Sequence, residues 1–414
     1  MSWQLASIDS IKSDAPYSLV GGPFGSNLTT RDYTDEGVPV IRGGNLPDTQ
    51  TFLDGDFVFV REEKADALIA NLAYPGDLVF TQRGTLGQVG LIPKEARFQR
   101  YVISQSQMKL TVDETKTDPW FVYYYFRHPD TVQTVKNHAL TSGVPHINLG
   151  ILKSLQMPLP PLGVQRNVVG LLSSYDDLIE NNRRRMALLE EAARQLYREW
   201  FVRLRFPGHE HANIIEGVPE GWGRKTFNEV CQAVGGGTPS TTKPEYWDDG
   251  NIIWVTPTDI TRNPCLALLD SEKKITEAGL KSSSAKMLPP DTIMMTSRAS
   301  VGFFGLIDRP ACTNQGFISV IPNEPLSRMY LLHNLMHRVE EIRSHAGGAT
   351  YKEISKRKFK ALPVVMPFLS LLRDFEEQAT ELLRQVRTLH TMNARLSQAR
   401  DLLLPRLMSG EIAV

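Results

Sequence analysis

Two stretches of the chain place apolar residues every three or four positions. The remainder breaks into short apolar runs cut by Gly, Asn and Pro. The first stretch contains ENNRRRMALLEEAARQLYREWF at residues 180–201. It has no Gly or Pro and is dense in Ala, Leu, Glu and Arg, so it predicts a long helix. The second contains LLRQVRTLHTMNARLSQARDLLLPRL at 382–407. There Phe375, Ala379, Leu382, Val386, Leu389, Asn393, Leu396, Arg400, Leu403 and Leu407 are spaced alternately by four and three. That is a heptad stripe with two polar interruptions. In the first, Leu171, Tyr175, Leu178, Asn182, Met186, Leu189, Ala193, Leu196 and Trp200 follow the same rule with one extra residue. Such a helix cannot bury its stripe alone. Either each helix packs on its own domain, or the two pair as an antiparallel coiled coil with the globular units at its ends. Near-equal length and a polar residue in each seam (Asn182, Asn393) favour pairing. About 36–40 residues at 1.5 Å each predict a rod of roughly 55–60 Å.

The shorter runs repeat. WQLASIDSI opens the chain and WGRKTFNEV begins at Trp222. Each precedes a Gly-rich turn, GGPFGSN at 21–27 and GGGTPST at 235–241. VPVIRGGNL at 38–46 then pairs with IIWVTPTDI at 252–260. YPGDLVFTQRGTLGQVGLI at 74–92 pairs with LPPDTIMMTSRASVGFFGLI at 288–307, which has one inserted residue. SQSQMKL at 104–110 pairs with NQGFISV at 314–320, and SGVPHINLGILKSLQMPLPP at 142–161 with ATYKEISKRKFKALPVVMPF at 349–368. Each half carries one further helix near its end, in DPWFVYYYFRHPDTVQTVKN and SRMYLLHNLMHRVEEIRSH, and closes with a long helix. The strands are rich in Val, Ile, Phe and Thr. The prediction is an α+β protein: two mixed α/β units joined by two long antiparallel coiled-coil helices, with a pseudo-twofold internal repeat. The segments are 1–160, 161–206, 207–367 and 368–414.

Composition narrows the function. A chain of 414 residues exceeds one ordinary core. Its 46 basic residues balance 46 acidic ones, which is not the footprint of a non-specific nucleic-acid coat. A local basic patch still permits DNA binding. No run of eighteen apolar residues and no secretory pattern is present, so a cytoplasmic protein without membrane contact is expected. Cys231, Cys265 and Cys312 lack CxxC spacing and are expected as small buried hydrophobes.

Along its whole length the chain resembles the specificity (S) subunit of type I restriction-modification systems. The carrying segments are MPLPPLGVQRNVVGLLSSYDDLIENNRRRMALLEEAARQLYREWF and LLLPRLMSGEI, supported by PEGW before the second half and the paired DLVFTQRGTLGQVG and TIMMTSRASVGFFG. It departs from the pattern at the second proline motif, where PLPPLG becomes VVMPFLS. The resemblance implies two target-recognition domains, 1–160 and 207–367, each reading half of a split site in double-stranded DNA. It implies spacer helices at 161–206 and 368–414 that fix their separation and dock two modification (methyltransferase) subunits. Restriction/motor subunits complete such a complex. Contacts to partners are expected at Asn182, Leu189, Tyr197, Trp200, Phe201, Leu396, Leu403 and Leu407. No cofactor is expected on this chain; the partners would use S-adenosylmethionine, ATP and magnesium. The S subunit itself would catalyse nothing.

The residues allow rival readings to be weighed. GGPFGSN has glycines but no Lys, so it is no phosphate loop. The Asn-Pro-Pro-aromatic motif of amino-methyltransferases is missing, as expected if a partner carries it. His333 and His337 lie four apart, but HNLMH lacks the Glu of HExxH and reads as a packed or surface face. HEH at 209–211 reads as a solvated loop, and EEK at 62–64 as a chance carboxylate pattern. A single-chain nuclease or methyltransferase therefore finds no motif. A protein-only coiled-coil adaptor fits poorly with two diversified, loop-rich units.

Base edges are read by Arg, Lys, Asn, Gln, Ser and Thr. The candidates in the first half are Ser26, Asn27, Arg42, Asn45, Gln82, Arg83, Thr85, Gln105, Ser142 and His146. In the second half they are Thr238, Ser240, Thr256, Asp259, Ser297, Arg298, Ser300, Gln315, Thr350, Tyr351 and Lys352. Turn and cap residues share this chemistry, so each competes with a structural role. For Arg83 and Arg298 function is favoured. Both end an apolar strand, before a turn, at equivalent places of the repeat. Gly84, Gly87 and Gly302 are expected to serve the turns. NNRRR at 181–185 reads as a solvated face or a partner contact.

Overall fold

The computed structural model describes residues 3–48, 50–140, 144–348 and 351–414. They form two units, one of residues 1–180 with 395–414, the other of residues 181–394.

The first unit is built on a four-stranded antiparallel sheet in the order Leu19–Gly21, Gln107–Leu110, Leu78–Thr81, Val89–Leu91. A five-stranded sheet runs Tyr33–Thr34, Val58–Val60, Val38–Ile41, Tyr101–Ile103, Leu72–Ala73, with the third and fourth strands parallel. Leu5–Ser7 pairs with Gln156–Pro158. Val38–Ile41, Leu78–Thr81 and Gln107–Leu110 are buried at every position, so these strands are covered on both faces.

The second unit repeats the scheme. Its four-stranded sheet runs Cys231–Gly235, Phe317–Pro322, Ile293–Thr296, Phe304–Gly305. Ile252–Val255 lies between Lys273–Ile275 and Cys312–Thr313, parallel to the latter. Gly223–Thr226 pairs with Pro363–Met366. The strand order and pairing sense of the first unit's main sheet therefore recur.

The helices differ from expectation in three places. The aromatic helix of the first half is two helices, Pro119–Arg127 and Pro129–Asn137. Pro129 disfavours helical backbone at His128, which is extended (φ −61°, ψ 130°). In the second half the break falls at Arg338, between Arg328–His337 and Val339–Ser344. The third difference lies in the seam of the first long helix, Leu162–Tyr197. Leu178 is 51% exposed and Ile179 is buried in its place. With Ile179 the stripe Gln165, Val168, Leu172, Tyr175, Ile179, Asn182, Met186, Leu189, Ala193 alternates by three and four without an extra residue.

The second long helix spans Leu369–Met408. Within the second unit the two helices run antiparallel. Asn182 Nδ2 donates to Asn393 Oδ1 at 2.9 Å, and Tyr197 packs on Phe375 with ring centres 6.2 Å apart. Within the first unit Asp176 accepts from Arg400, and Val168 and Leu172 share a core with Leu404 and Leu407. An amide pair in a dry seam is poor for stability but fixes register, because an apolar slip would leave both amides unsatisfied.

The core of the second unit holds a histidine. His333 is 2% exposed, stacks on Tyr197, and bonds the Met329 carbonyl through Nδ1 at 2.8 Å. Its Nε2 is buried without a hydrogen-bond partner. Burial pushes the imidazole from 6.5 down to about 4. The unfolded chain takes up this proton below about pH 6.5, whereas the folded chain waits until about pH 4. Stability is therefore lost as pH falls through that window. Linkage gives a loss of about 2 kcal/mol between pH 7 and pH 5. Denaturant unfolding of the natural chain and of His333→Phe at both pH values checks this. The natural chain should weaken more than the variant by that amount. Equal weakening would place the proton uptake elsewhere.

Candidate nucleic-acid interface

In the first unit Gln107–Leu110 is antiparallel to both its neighbours, with Met108 opposite Gly21 and Gln107 opposite Thr81. The segments after Gly21, after Thr81 and before Gln107 consequently leave the sheet at one edge. The Ile41 carbonyl accepts from Ser104 N at 3.0 Å, which brings the 42–46 turn there. The Gln82 carbonyl accepts from Ile147 N at 2.9 Å, and Arg83 bridges to His146, which adds residues 144–147. Five segments thus converge.

The second unit repeats each link. Gly235 lies opposite Ile318 and Thr296 opposite Phe317. The Val255 carbonyl accepts from Asn314 N at 3.0 Å. The Ser297 carbonyl accepts from Ile354 N at 3.0 Å, and Arg298 bridges to Glu353.

Close backbone contact fixes the roots of these loops. A Cβ on Gly22 would stand 2.0 Å from the Ser104 carbonyl oxygen, and one on Gly236 2.1 Å from that of Thr313. Only glycine fits either place. Gln105 Nε2 donates to the Gly25 and Leu28 carbonyls at 2.6 Å each, clamping the Gly-rich loop. Its counterpart Gln315 accepts from Thr238 Oγ1. Gly84 and Gly87 have φ of 100° and 92°, and Gly302 of 86°, so these three serve the turns.

Ser26, Asn27, Arg42, Arg83, Thr85, Thr238, Ser240, Arg298, Tyr351 and Lys352 are exposed on the loops of their own unit, while Gln82, His146 and Ser300 are half-buried. Arg83 makes no ion pair among the described residues. Arg298 Nε stands 3.8 Å from Glu353 Oε2, both side chains being about half exposed, so water competes readily with that pair. Ser142 and Thr350 lie outside the described residues.

The other candidates have structural work. Asn45 is 2% exposed; its Oδ1 accepts from Arg42 N and its Nδ2 donates to the Leu53 and Gly55 carbonyls. Asp259 accepts from Thr256 N, Thr256 Oγ1 and Glu272 N. These two residues, with Thr256, cap turns. Ser297 is buried at 3% exposure. Gln105 and Gln315 hold loops. Asn45 and Ser297 are buried away from any base, whereas Gln105 and Gln315 stay exposed while they hold their loops.

The expected partner contacts need the same correction. Asn182, Tyr197, Trp200 and Leu407 are at most 8% exposed and belong to the chain's own packing. Leu189 and Phe201 pack on the second unit's core and Leu403 on the first's; Leu396 is half-buried. The chain's own packing thus takes up Asn182, Tyr197, Trp200 and Leu407, while Leu189, Phe201, Leu396 and Leu403 keep part of their surface open. The exposed large apolar side chains of the long helices are instead Leu178, Leu188, Leu369, Met392 and Leu402.

The remaining motifs resolve into pairs and packing. Glu62 binds Arg100 and Lys64 binds Asp32, so EEK does not converge on a metal. His333 and His337 both face Tyr197. Among the described residues no three His, Cys, Asp or Glu side chains are grouped to hold a metal ion. Among them, too, no helix is long and apolar enough to cross a membrane. Burial pushes the thiols of Cys231, Cys265 and Cys312 up to about 12, which disfavours the reactive thiolate; Cys231 and Cys312 are buried and Cys265 is half-buried.

Phe24 is a further residue at this edge, outside the candidates the sequence offers. It is 88% exposed at the tip of the clamped loop, beside Ser26 and Asn27. An aromatic between Pro and Gly in a Gly-rich turn was the available signal.

A family profile described as "Type I restriction modification DNA specificity domain" matches residues 29–191 and again 219–387. The chain is 31% identical over 170 residues to the type I restriction enzyme MjaIX specificity subunit of Methanocaldococcus jannaschii, a match spanning 41% of this chain and only 39% of that subunit. It is 22% identical over 376 residues to the HindI specificity subunit of Haemophilus influenzae, spanning 75% of this chain and 81% of the relative. A crystal structure of the S subunit of a type I restriction-modification system from M. genitalium shares the fold, with a TM-score of 0.57 at 17% identity over 98% of this chain and 96% of that one.

Proposed function

Because this chain belongs to the type I restriction modification DNA specificity family, we propose that each of its two globular units reads one half of an asymmetric, bipartite site in double-stranded DNA. The target-recognition domains are 1–160 and 207–367. The helices at 161–206 and 368–414 set the unread spacer and carry two modification subunits, which restriction/motor subunits join in the cytoplasm. Catalysis lies on those partners, with S-adenosylmethionine for methyl transfer and ATP and magnesium for the motor-nuclease. This chain supplies the address and no reacting group.

The observation that carries this reading is the doubled sheet edge with an exposed arginine at the same place in each unit, Arg83 and Arg298. Two edges of one architecture with different loop residues suit a site whose halves differ in sequence. Arginine is the commonest specific reader of guanine in the major groove, and a good base contact is worth about 1–3 kcal/mol. Arg83→Ala should lower methylation dependent on one half-site, and Arg298→Ala that dependent on the other. Mapping methylated sites at limiting complex measures both. If neither change alters methylation, the edge is not the DNA face. A uniform loss over all sequences with a flatter salt dependence would make the arginines phosphate contacts.

A further inference from the structure

Phe24 serves the loop through its carbonyl, which accepts from Asn27 N at 3.1 Å, and not through its ring. It is the most exposed large apolar side chain described, at 88%, and it stacks on no other ring. Its surroundings nevertheless hold it in place. Pro23 before it is buried, and Gly22 is locked against the Ser104 carbonyl. The two carbonyls that Gln105 clamps, those of Gly25 and Leu28, follow it directly. The ring is thus mounted on a braced loop. An exposed Phe forgoes the gain of burial, and no ring among the described residues covers it.

The second unit supplies the comparison. Gly22 and Gly236 occupy equivalent places, so Thr238 stands where Phe24 does. Thr238 is exposed too, but its hydroxyl is engaged, donating to Gln315, the counterpart of the clamp residue. The same loop therefore projects an aromatic ring in one unit and a satisfied hydroxyl in the other.

We propose that Phe24 is a wedge, a specificity-determining residue that inserts its ring between two stacked bases of the first half-site; this rests on the DNA-reading function above. Both faces of the ring are open, as insertion requires, whereas a contact to a thymine methyl would use one edge. Ser26 and Asn27 beside it offer hydrogen bonds to the base edges that unstacking opens. Apolar wedges unstack a step, which costs least at flexible pyrimidine–purine steps. The first half-site therefore gains selectivity by deformability, and the second does not gain it from this loop.

The test uses the chain assembled with its modification subunit and duplexes carrying the methylation-mapped site. 2-Aminopurine is placed in turn at each position of the first half-site except the methylated base. With the natural chain, fluorescence should rise at one step. With Phe24→Ala that rise should vanish and affinity for the cognate duplex should fall about tenfold or more, while Phe24→Trp keeps both. Cognate binding without unstacking, in a complex that Arg83→Ala still disables, overturns the wedge and leaves DNA reading standing. Loss of affinity reproduced by replacing a thymine with uracil, without unstacking, makes Phe24 a methyl contact and also overturns it. Weakened assembly with the modification subunit, with unchanged DNA binding, assigns the ring to a protein contact and overturns it too. If the natural complex does not distinguish cognate from scrambled duplex, the DNA-reading function itself fails.

Discussion

Inserting two residues after Arg185 should abolish sequence-specific methylation, whereas inserting one helical turn should preserve it and lengthen the unread spacer. Arg185 sits between two seam residues of the second unit, Asn182 and Met186. Two extra residues turn everything beyond by roughly 200°. Met186, Ala193 and Tyr197, at 2%, 5% and 4% exposure, would then face water. The Met and Tyr side chains each contribute on the order of 2 kcal/mol when buried. The loss approaches the whole stability of a marginal domain, about 5–15 kcal/mol. Four extra residues turn the helix by about 400°, which leaves the seam nearly in phase, and add about 6 Å. A matching four residues after Leu389, in the antiparallel partner opposite Met186, keep both flanks paired. B-DNA rises about 3.4 Å per base pair, so the spacer should grow by one or two base pairs while both half-site sequences stay the same. Genome-wide methylation mapping reads the outcome. An unchanged spacer with the longer helices, or full activity with the two-residue insertion, would mean that the helices are not the ruler.

How far the sequence discloses this protein depends on whether a residue's chemistry has one structural use or several. The repeat was legible because strand and turn signals recur in fixed order, and the paired strands of the two four-stranded sheets became equivalent elements. The antiparallel pairing was legible from Asn182 and Asn393, since two amides at matching seam positions satisfy each other. The phase of the first helix was not. Leu178 and Ile179 are adjacent and equally apolar, and 3.6 residues per turn lets either continue the stripe for one heptad. The loops were legible as a class but not residue by residue. Asn45 and Asp259 were candidates for base reading because a short carbonyl or carboxylate serves a base edge and a turn cap alike. Only the backbone shows that Asn45 spends its amide on Arg42, Leu53 and Gly55. The apolar residues of the long helices misled in the other direction. A stripe suited to a partner is equally suited to the chain's own second helix, which lies closer at hand.

Asp77→Ala should destabilise the first unit by about 3–5 kcal/mol, the usual cost of stranding one member of a buried ion pair. SQSQMKL gives no hint that its lysine lies inside, yet Lys109 is 4% exposed and Asp77 2%. Asp77 is the hub of a small network. Its Oδ2 accepts from Lys109 Nζ at 3.3 Å and from Tyr74 N at 2.8 Å, and its Oδ1 from Thr111 Oγ1. Removing the carboxylate takes the acceptor from all three donors and leaves a buried ammonium over the face of Tyr74, 5.5 Å away. The second unit carries out the control. Strand register equates Lys109 with Ser319 and the residue before Leu78 with Thr292, so the same sheet forms there around neutral side chains. The charge pair is therefore dispensable as a pair but not by halves. Asp77→Ala with Lys109→Met should recover most of the loss, because replacing a buried ion pair by apolar groups of similar volume is often neutral. Denaturant unfolding of the full chain, with hydrogen exchange across residues 74–111, measures both variants. The single variant should also lose the first half-site in methylation mapping, because Leu78–Thr81 and Gln107–Leu110 are the strands that carry Gln82, Arg83 and the Gln105 clamp to the reading edge. A single variant no weaker than the double would mean that Lys109 finds water on relaxation and that the network does not brace the edge.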